Sequence, residues 1–344
     1  MKKILLISYG GTIVMVVDEK RKAVVPADNI QEILEHVPRL SEFADVSFEI
    51  LSNVDSTNVT TTDWTRLAYY IKEHYDEYDG FVIAHGTNTM AYTASALALA
   101  LGRGLKKPVV LTGSQLPLTV YGNDARFNLE NSIKTAVKAA EENISEVMIV
   151  FSDHILRGAR TVKVSESSFN AFASPAFTNL GYIRSTGVHF TEQALSVDAT
   201  IPLEVKPHFE SNVLTVDLTP GQQPGLIEEV LKSGKCKGLL LKSHGAGSVP
   251  TIEGYSFLPL IKKATELYQV PVLVSTKFLG GNAIKDVNDA PALDAIEAGA
   301  IPTSDMTDVM SEVKLMWLLA QGHRENSTLR ELIVKEYVGE VTGL

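Results

Sequence analysis

The sequence predicts an α/β fold with two domains: a larger N-terminal domain built on a parallel sheet and a smaller C-terminal α/β domain. Three observations support this prediction. Short apolar runs alternate with helical segments through the first half of the 344 residues, as in βαβ units. Periodicity then weakens, and Pro202 and Pro207 interrupt any regular element. The alternation resumes afterwards, so we predict domains over 1–190 and 213–344 joined by a linker over 191–212.

Four apolar runs in the first half are predicted strands, because short β-branched runs suit a parallel sheet covered on both faces. They span 4–9, 81–85, 108–112 and 147–151. Helices are predicted over 62–77, 90–103 and 128–142. Thr62 or Asp63 is the expected N-cap of the first of these helices, and the second is expected to end near Gly104.

The second half contains three further predicted strands and five predicted helices. The strands span 213–216, 238–241 and 272–274. The helices span 223–233, 257–268, 290–298, 308–321 and 327–337.

Composition excludes several classes of protein. The formal net charge of −10 argues against a nucleic-acid partner, which would require a basic face. Cys236 is the single cysteine, so no intramolecular disulfide is expected. No apolar run reaches the roughly 18 residues of a membrane span. The apolar start at 4–7 is interpreted as a buried first strand, because Gly10 and Gly11 interrupt it too early for a signal peptide. We therefore expect a cytoplasmic protein without a membrane partner.

Two threonine-bearing turns directly follow predicted strands. Gly10–Gly11–Thr12 follows the first strand, and Gly86–Thr87 follows the strand at 81–85. Ligands of open α/β sheets bind at the carboxyl ends of such strands, and glycine lets a ligand approach the backbone closely. Two hydroxyls at one edge suggest a threonine nucleophile. The alternative is that both threonines only cap helices.

A threonine nucleophile requires a base, and Lys163 is the candidate. A lysine can act as a base only where burial or charge lowers its pKa, and the alternative is a solvated surface charge. Asp55 and Ser56 follow another predicted strand at 48–51. They could bind the ammonium and the carboxylate of an α-amino acid, or they could simply form a turn.

The segment 13–27 carries a charged run at 18–22 and has few helix or strand signals, so it is either a solvated hairpin or a mobile lid beside Thr12. The histidines show no metal-ligand spacing, and His85 is expected to pack at a strand end. Phosphate-binding and dinucleotide-binding glycine patterns are absent from the sequence. No cofactor and no metal are expected.

Taken together, these stretches resemble the bacterial-type L-asparaginase family, closest to its cytoplasmic type I branch. The resemblance covers essentially the whole chain. Each matching stretch is weak alone, but all of them occur in the family's order. They are 9–13, 54–56, 85–90, 111–118, 124–129, 157–163, 169–175 and 304–307.

The resemblance implies a flavodoxin-like N-terminal sheet and an amidohydrolase that converts L-asparagine to L-aspartate and ammonia through an acyl-enzyme. Thr12 would be the nucleophile, and Thr87 and Lys163 would activate it. Ser114 would face the leaving amide through its backbone. The implied catalytic set is Thr12, Thr87, Lys163 and Asn88, and the implied substrate-binding set is Asp55, Ser56, Gly11, Gly86 and Ser114. Family members form homodimers or homotetramers, with each site completed by the neighbour's C-terminal domain.

The sequence departs from the family pattern at two positions. Asn88 replaces an aspartate that usually meets the substrate ammonium and supports the lysine–threonine unit. Losing that charge is expected to lower the rate by about 10²–10³. Val24 stands where a lid tyrosine is usual, two residues before Pro26, and Tyr9 and Tyr121 are the nearby tyrosines.

Other functions remain open at this point. The chain could hydrolyse a different amide that lacks a free α-amine. It could be a form of reduced activity that traps substrate because of Asn88, or a binder without turnover. One component of a tRNA-dependent amidotransferase shares the fold, but it carries an additional N-terminal domain, whereas Met1 lies just before the predicted first strand.

Overall fold

Apolar runs that are buried on both sides form the central strands of the structure. The computed structural model describes residues 1–18, 23–27, 29–283 and 289–342. The chain divides into two compact units, Met1–Pro207 and His208–Leu344, each with its own sheet. The predicted domain limits, 1–190 and 213–344, remain predictions.

The large sheet of the first unit has eight strands in the order β12-β11-β8-β7-β6-β5-β1-β4. The remaining strands of this unit form two small antiparallel pairs, β2 with β3 and β9 with β10. In chain order the strands are β1 (Lys3–Ser8), β2 (Met15–Asp18), β3 (Ala23–Pro26), β4 (Asp45–Ile50), β5 (Gly80–Ala84), β6 (Val109–Thr112), β7 (Val147–Phe151), β8 (His154–Arg157), β9 (Val162–Lys163), β10 (Phe172–Ala173), β11 (Gly181–Arg184) and β12 (Gly187–Phe190).

Five of the eight strands are parallel and carry the predicted α/β architecture, which is confirmed. Their order, β4-β1-β5-β6-β7, is that of a flavodoxin-like sheet. The strands β5, β6 and β7 are buried along their whole length, as expected for a sheet with helices on both faces. The strand order reverses between β1 and β5, and this switch point is where open α/β sheets bind ligands.

Three antiparallel strands, β8, β11 and β12, extend the sheet beyond the prediction. The chain reverses directly after β7 through Ser152 and Asp153, with Ser152 at φ 53°. The sequence pattern predicts no strand here, because these strands are short and mix charged with apolar residues. Their addition makes the sheet mixed.

The helices of the first unit are α1 (Ile30–His36), α2 (Leu40–Phe43), α3 (Thr61–Glu73), α4 (Met90–Leu101) and α5 (Ala125–Glu141). Apolar residues of α1, α2 and α5 join those of the sheet in one core, which includes Ile33, Leu129 and Val82. The predicted N-cap of α3, Thr62 or Asp63, is wrong. Thr60 is the N-cap, and Asp63 accepts a hydrogen bond from the Thr60 N–H at 2.7 Å in a capping box.

The second unit is a four-stranded parallel sheet with its own helices, so it is the predicted α/β domain with one strand, at 301–302, beyond the three predicted. The strands β13 (Val213–Asp217), β14 (Gly238–Ser243), β15 (Val272–Thr276) and β16 (Ile301–Pro302) lie side by side in chain order. The helices are α6 (Pro224–Lys232), α7 (Leu258–Glu266), α8 (Ala290–Glu297), α9 (Asp308–Ala320) and α10 (Asn326–Val334). Within the described ranges, no helix combines the length and apolar character needed to cross a membrane.

Candidate active site

The carboxyl ends of β1, β4 and β5 open into a cavity of about 280 Å³ in the first unit. It lies at the strand end where the sheet order reverses. Seven of the nine residues singled out from the sequence line it, and the other two, Lys163 and Ser114, contact lining residues. The cavity is lined by Gly11, Thr12, Met15, Asn53, Val54, Asp55, Ser56, Gly86, Thr87 and Asn88.

The Gly10–Gly11 turn after β1 brings Thr12 to the cavity. Both glycines have positive φ, 93° and 87°, which L side chains rarely adopt. A Cβ on Gly11 would lie 2.6 Å from the backbone nitrogen of Gly86. The two glycine turns therefore pack backbone against backbone. Thr12 starts a 3₁₀ turn over Thr12–Val14, and its hydroxyl donates to the Ser114 carbonyl at 3.1 Å.

The second turn, after β5, presents Thr87 and Asn88 ahead of helix α4. Thr89 holds the N-cap position of that helix, and its hydroxyl donates to the Ser56 carbonyl at 2.7 Å. Thr87 and Asn88 therefore lie before the cap, and the capping alternative does not apply to them. Their side-chain oxygens instead face a cation.

That cation is Lys163 on the short strand β9. Its Nζ donates to Thr87 Oγ1 at 2.9 Å and to Asn88 Oδ1 at 2.8 Å. Burial lowers the pKa of Lys163, and the negative charge of Glu166 opposes this shift. Lys163 is thus partly buried among neutral oxygen atoms, so the surface-charge alternative does not describe it. Its neutral amine could accept a proton from Thr87.

Asp55 and Ser56 lie beside the two threonine turns and also form the expected local turn. Asp55 caps the 3₁₀ turn Ser56–Asn58 by accepting a hydrogen bond from the Thr57 N–H at 2.8 Å. This hydrogen bond lowers the pKa of the Asp55 carboxyl, which stays exposed at the cavity. Ser56 is buried against Gly86, where a Cβ would lie 2.7 Å from the serine hydroxyl oxygen.

Ser114 contacts the site through its backbone. Its carbonyl accepts from Thr12, whereas its own hydroxyl donates to the Leu116 carbonyl at 2.7 Å. Asp124 holds this loop in place by accepting from the N–H groups of Gln115 and Leu116. The loop therefore presents a fixed carbonyl to Thr12.

Three residues that line the cavity, Met15, Asn53 and Val54, were given no role in the site from the sequence. Asn53 could have been found, because it lies two residues before Asp55 on the same strand-end loop. Met15 starts the hairpin of β2 and β3, in which Val24 pairs with Val17. The hairpin alternative thus holds for the described backbone of this segment, whereas 19–22 lie outside the described residues.

Neither nearby tyrosine, Tyr9 or Tyr121, is among the residues that line the cavity. The Tyr9 side chain is buried, and its hydroxyl donates to Asp63 Oδ1 at 2.6 Å. Burial and the Asp63 carboxylate raise the pKa of the Tyr9 hydroxyl, so it stays protonated. Tyr121 is fully exposed. Among the described residues, no group of three or more histidine, cysteine and acidic side chains could hold a metal ion.

Two family models match almost the whole chain. The asparaginase N-terminal model matches residues 3–196, and the glutaminase/asparaginase C-terminal domain model matches residues 212–333. An L-asparaginase of Thermococcus kodakarensis is 34% identical over 343 residues, 99% of each chain. L-asparaginase 1 of Escherichia coli K12 is 34% identical over 99% of this chain and 98% of its own. One component of the glutamyl-tRNA(Gln) amidotransferase of Saccharolobus islandicus is 32% identical over 98% of this chain and 76% of its own.

Solved structures of L-asparaginases are also similar to this chain along nearly its whole length. The thermostable L-asparaginase from Thermococcus kodakarensis superposes with a TM-score of 0.89 over 99% of this chain and 100% of its own, at 32% identity. L-asparaginase I from Vibrio cholerae superposes with a TM-score of 0.86 over 99% of both chains, at 29% identity. A probable cytoplasmic L-asparaginase from Campylobacter jejuni superposes with a TM-score of 0.80 over 98% of this chain and 100% of its own, at 28% identity. The predicted resemblance is confirmed, and the chain belongs to the asparaginase family.

Proposed function

We propose that the protein hydrolyses L-asparagine to L-aspartate and ammonia, with Thr12 as the nucleophile. The observation that carries this proposal is the contact of Lys163 with Thr87 at 2.9 Å, at the edge of a cavity that Thr12 also lines. A threonine hydroxyl needs such a base, and a lysine with a lowered pKa can supply it. The family of the chain supports the same chemistry.

The reaction proceeds in two halves. In the first, Thr12 Oγ1 attacks the side-chain amide carbon, and its hydroxyl proton passes by way of Thr87 to Lys163. Backbone N–H groups near Thr12 and Thr87 stabilise the tetrahedral oxyanion. The carbon–nitrogen bond then breaks, the nitrogen takes the proton from Lys163 and leaves as ammonia, and an acyl-Thr12 ester remains. In the second half, water attacks this ester, and aspartate leaves while Thr12 regains its proton.

The substrate's α-substituents are assigned to the other cavity residues. Asp55 has its carboxylate exposed at the cavity and suits the α-ammonium, while Ser56 and the glycine turns at Gly11 and Gly86 suit the α-carboxylate end. No cofactor, metal or nucleic acid enters this proposal. We also propose that the protein is cytoplasmic and assembles as a homodimer or homotetramer, as the resemblance implies.

The first test compares ammonia release from L-asparagine by the wild type and by Asn88→Asp. We expect Asn88→Asp to raise kcat/KM by about 100-fold, because it restores an anion for the substrate ammonium. The control is Asn212→Asp, which adds the same charge at an exposed residue outside the cavity lining. Equal rates for the wild type and Asn88→Asp would refute this role of the carboxylate. Absence of turnover in both would refute L-asparagine as the substrate.

A second candidate function is hydrolysis of an amide without a free α-ammonium, and the orientation of Asn88 favours it. The atom of Asn88 at 2.8 Å from Lys163 Nζ is the amide oxygen, which accepts a hydrogen bond from it. The Asn88 NH₂ group, a donor, is then the second polar group of a side chain that lines the cavity. A substrate ammonium also only donates, whereas the carbonyl of an N-acyl group accepts.

The kcat/KM ratio for N-acetyl-L-asparagine and L-asparagine distinguishes the two candidates. The second candidate predicts a ratio above one in the wild type and a ratio below one in Asn88→Asp, because the carboxylate would repel the acyl carbonyl oxygen. A ratio below one in both proteins would reject the second candidate and leave L-asparagine as the substrate.

A further inference from the structure

A chain of buried hydrogen bonds lies behind the Gly86–Thr87 turn and ends on its backbone. His85, the residue after β5, is fully buried. Its Nδ1 lies 2.7 Å from the Gly86 carbonyl oxygen, and its Nε2 lies 3.1 Å from the Thr93 hydroxyl. The indole N–H of Trp64 donates to the same hydroxyl at 3.2 Å. The ring of Tyr9 stacks on the imidazole with 6.2 Å between centroids.

The partners determine the proton positions in this chain. A carbonyl oxygen only accepts, so Nδ1 of His85 carries a proton and donates to Gly86. Burial lowers the pKa of His85 to about 4, so the ring is neutral at pH 7 and Nε2 is an acceptor. The Thr93 hydroxyl then donates to Nε2 and accepts from Trp64. Each polar group of the chain is satisfied in one arrangement only.

This arrangement fixes the plane of one peptide bond at the cavity. The Gly86–Thr87 peptide is trans, so its carbonyl and its N–H point in opposite directions. The carbonyl points back to the buried His85, so the Thr87 N–H points away from His85, and Gly86 and Thr87 both line the cavity. Packing against Gly11 and Ser56 leaves the turn little room to adjust.

We infer that His85 is a positioning residue, which holds the Gly86 carbonyl so that the Thr87 N–H is presented to the oxyanion of the reaction. The inference rests on the proposed threonine mechanism. Histidine suits this position because its two nitrogens reach two partners on opposite sides. Trp64 and Thr93 keep Nε2 in the acceptor state, and this keeps the proton on Nδ1.

Two substitutions of His85 distinguish a role in positioning the turn from a role in packing alone. His85→Asn retains a donor at the place of Nδ1 and loses the Thr93 contact, whereas His85→Gln retains a group near Nε2 and loses the Gly86 contact. We expect His85→Asn to keep kcat for L-asparagine within about threefold of the wild type. We expect His85→Gln to lower kcat by at least about tenfold with little change in KM, since an oxyanion donor acts in the transition state. An equal loss of kcat in the two variants, or no loss of kcat in either, would overturn the inference.

A measurement on the wild type keeps the inference testable if the variants fail to fold or the substrate assignment fails. Long-range ¹H–¹⁵N NMR spectra report which imidazole nitrogen carries the proton. We expect the Nδ1–H form of His85, neutral from pH 8 down to about pH 5. An Nε2–H form or a charged ring at pH 7 would overturn the inference without reference to turnover. Absence of ammonia release together with the Nδ1–H form would instead refute the proposed function.

Discussion

Asn88 changes two properties of the site in opposite directions. A neutral amide binds a substrate ammonium more weakly than a carboxylate does. The same substitution removes an anion from the immediate surroundings of Lys163, whose neighbours Thr87 and Asn88 are both neutral. The charge of Glu166 acts to raise the pKa of Lys163, but the effect of burial outweighs it. In the proposed mechanism, the free amine that the base requires is therefore easier to populate, at the expense of ammonium binding.

The effect of Asn88 on the pKa of Lys163 predicts how Asn88→Asp changes the pH dependence of kcat. A carboxylate 2.8 Å from the ammonium would stabilise the charged form and raise the pKa of Lys163. The rate rises with pH as a base loses its proton, so the rising limb of kcat should move to higher pH. A profile between pH 5 and 10 measures this shift. A limb that stays in place or moves to lower pH would show that Lys163 is not the base.

The buried His85 predicts a stability change at mildly acidic pH. Its folded pKa of about 4 lies below the ordinary value of 6.5, so between these values the unfolded chain binds the proton and the folded chain does not. Folding stability therefore falls as pH drops through this window, by about 1.4 kcal/mol per unit and about 3 kcal/mol in total. Urea unfolding at pH 7 and pH 5 should show a loss that is smaller in His85→Asn. An equal loss in both proteins would contradict this prediction.

The strand-end turns are the elements on which the site depends. Gly86 leaves no room for a Cβ, which would lie 2.7 Å from Ser56 Oγ and 2.8 Å from Ser56 Cβ. Gly86→Ala should therefore displace the turn and lower kcat/KM by at least about tenfold. Gly225→Ala is the matched control, because a Cβ there meets nothing within 4 Å. Ammonia-release assays of both variants test this, and a fully active Gly86→Ala would show that the turn tolerates the shift.

A buried ion pair fixes the C-terminal elements of the second unit. Lys314 on α9 and Glu340 are both fully buried and lie 2.6 Å apart. Lys314 also donates to the carbonyls of Ile333 and Lys335 at the end of α10, at 2.7 and 2.6 Å. The pair thus joins α9, the end of α10 and the segment after it.

Removing one member of this pair leaves a buried charge without compensation. Lys314→Met should lower the free energy of unfolding by about 3–5 kcal/mol, and adding Glu340→Gln should recover part of that loss. Urea unfolding followed by circular dichroism measures both values. A double variant less stable than Lys314→Met would contradict this account of the loss.

At the level of elements, the sequence predicted strands and helices well where the pattern was regular. The predicted limits of α4, 90–103, lie within two residues of Met90–Leu101, because its run of alanine and leucine is continuous. The N-cap of α3 was misplaced because Thr60, Thr61, Thr62 and Asp63 are all good caps by residue type. Only the capping box, a three-dimensional arrangement, selects Thr60.

At the level of the molecule, the topology of the parallel sheet explains why the site residues lie close together. Strand-end turns of a parallel sheet share one edge, so Thr12, Asp55 and Thr87 could be placed together from the sequence alone. The side-chain network could not be placed in this way. Lys163 lies 76 residues from Thr87, and His85 meets Trp64 through Thr93 on another helix. Such contacts depend on how elements distant in the sequence pack on one another, which periodicity does not encode.

Trapping the acyl-enzyme tests most directly whether this fold delivers Thr12 as the nucleophile. The wild type is mixed with L-asparagine, quenched in acid within milliseconds to seconds, digested and analysed by mass spectrometry. We predict a β-aspartyl group on the peptide that contains Thr12, and neither adduct nor ammonia release in Thr12→Val. Ammonia release by Thr12→Val at the wild-type rate, or an acyl group on another residue, would show that Thr12 is not the nucleophile.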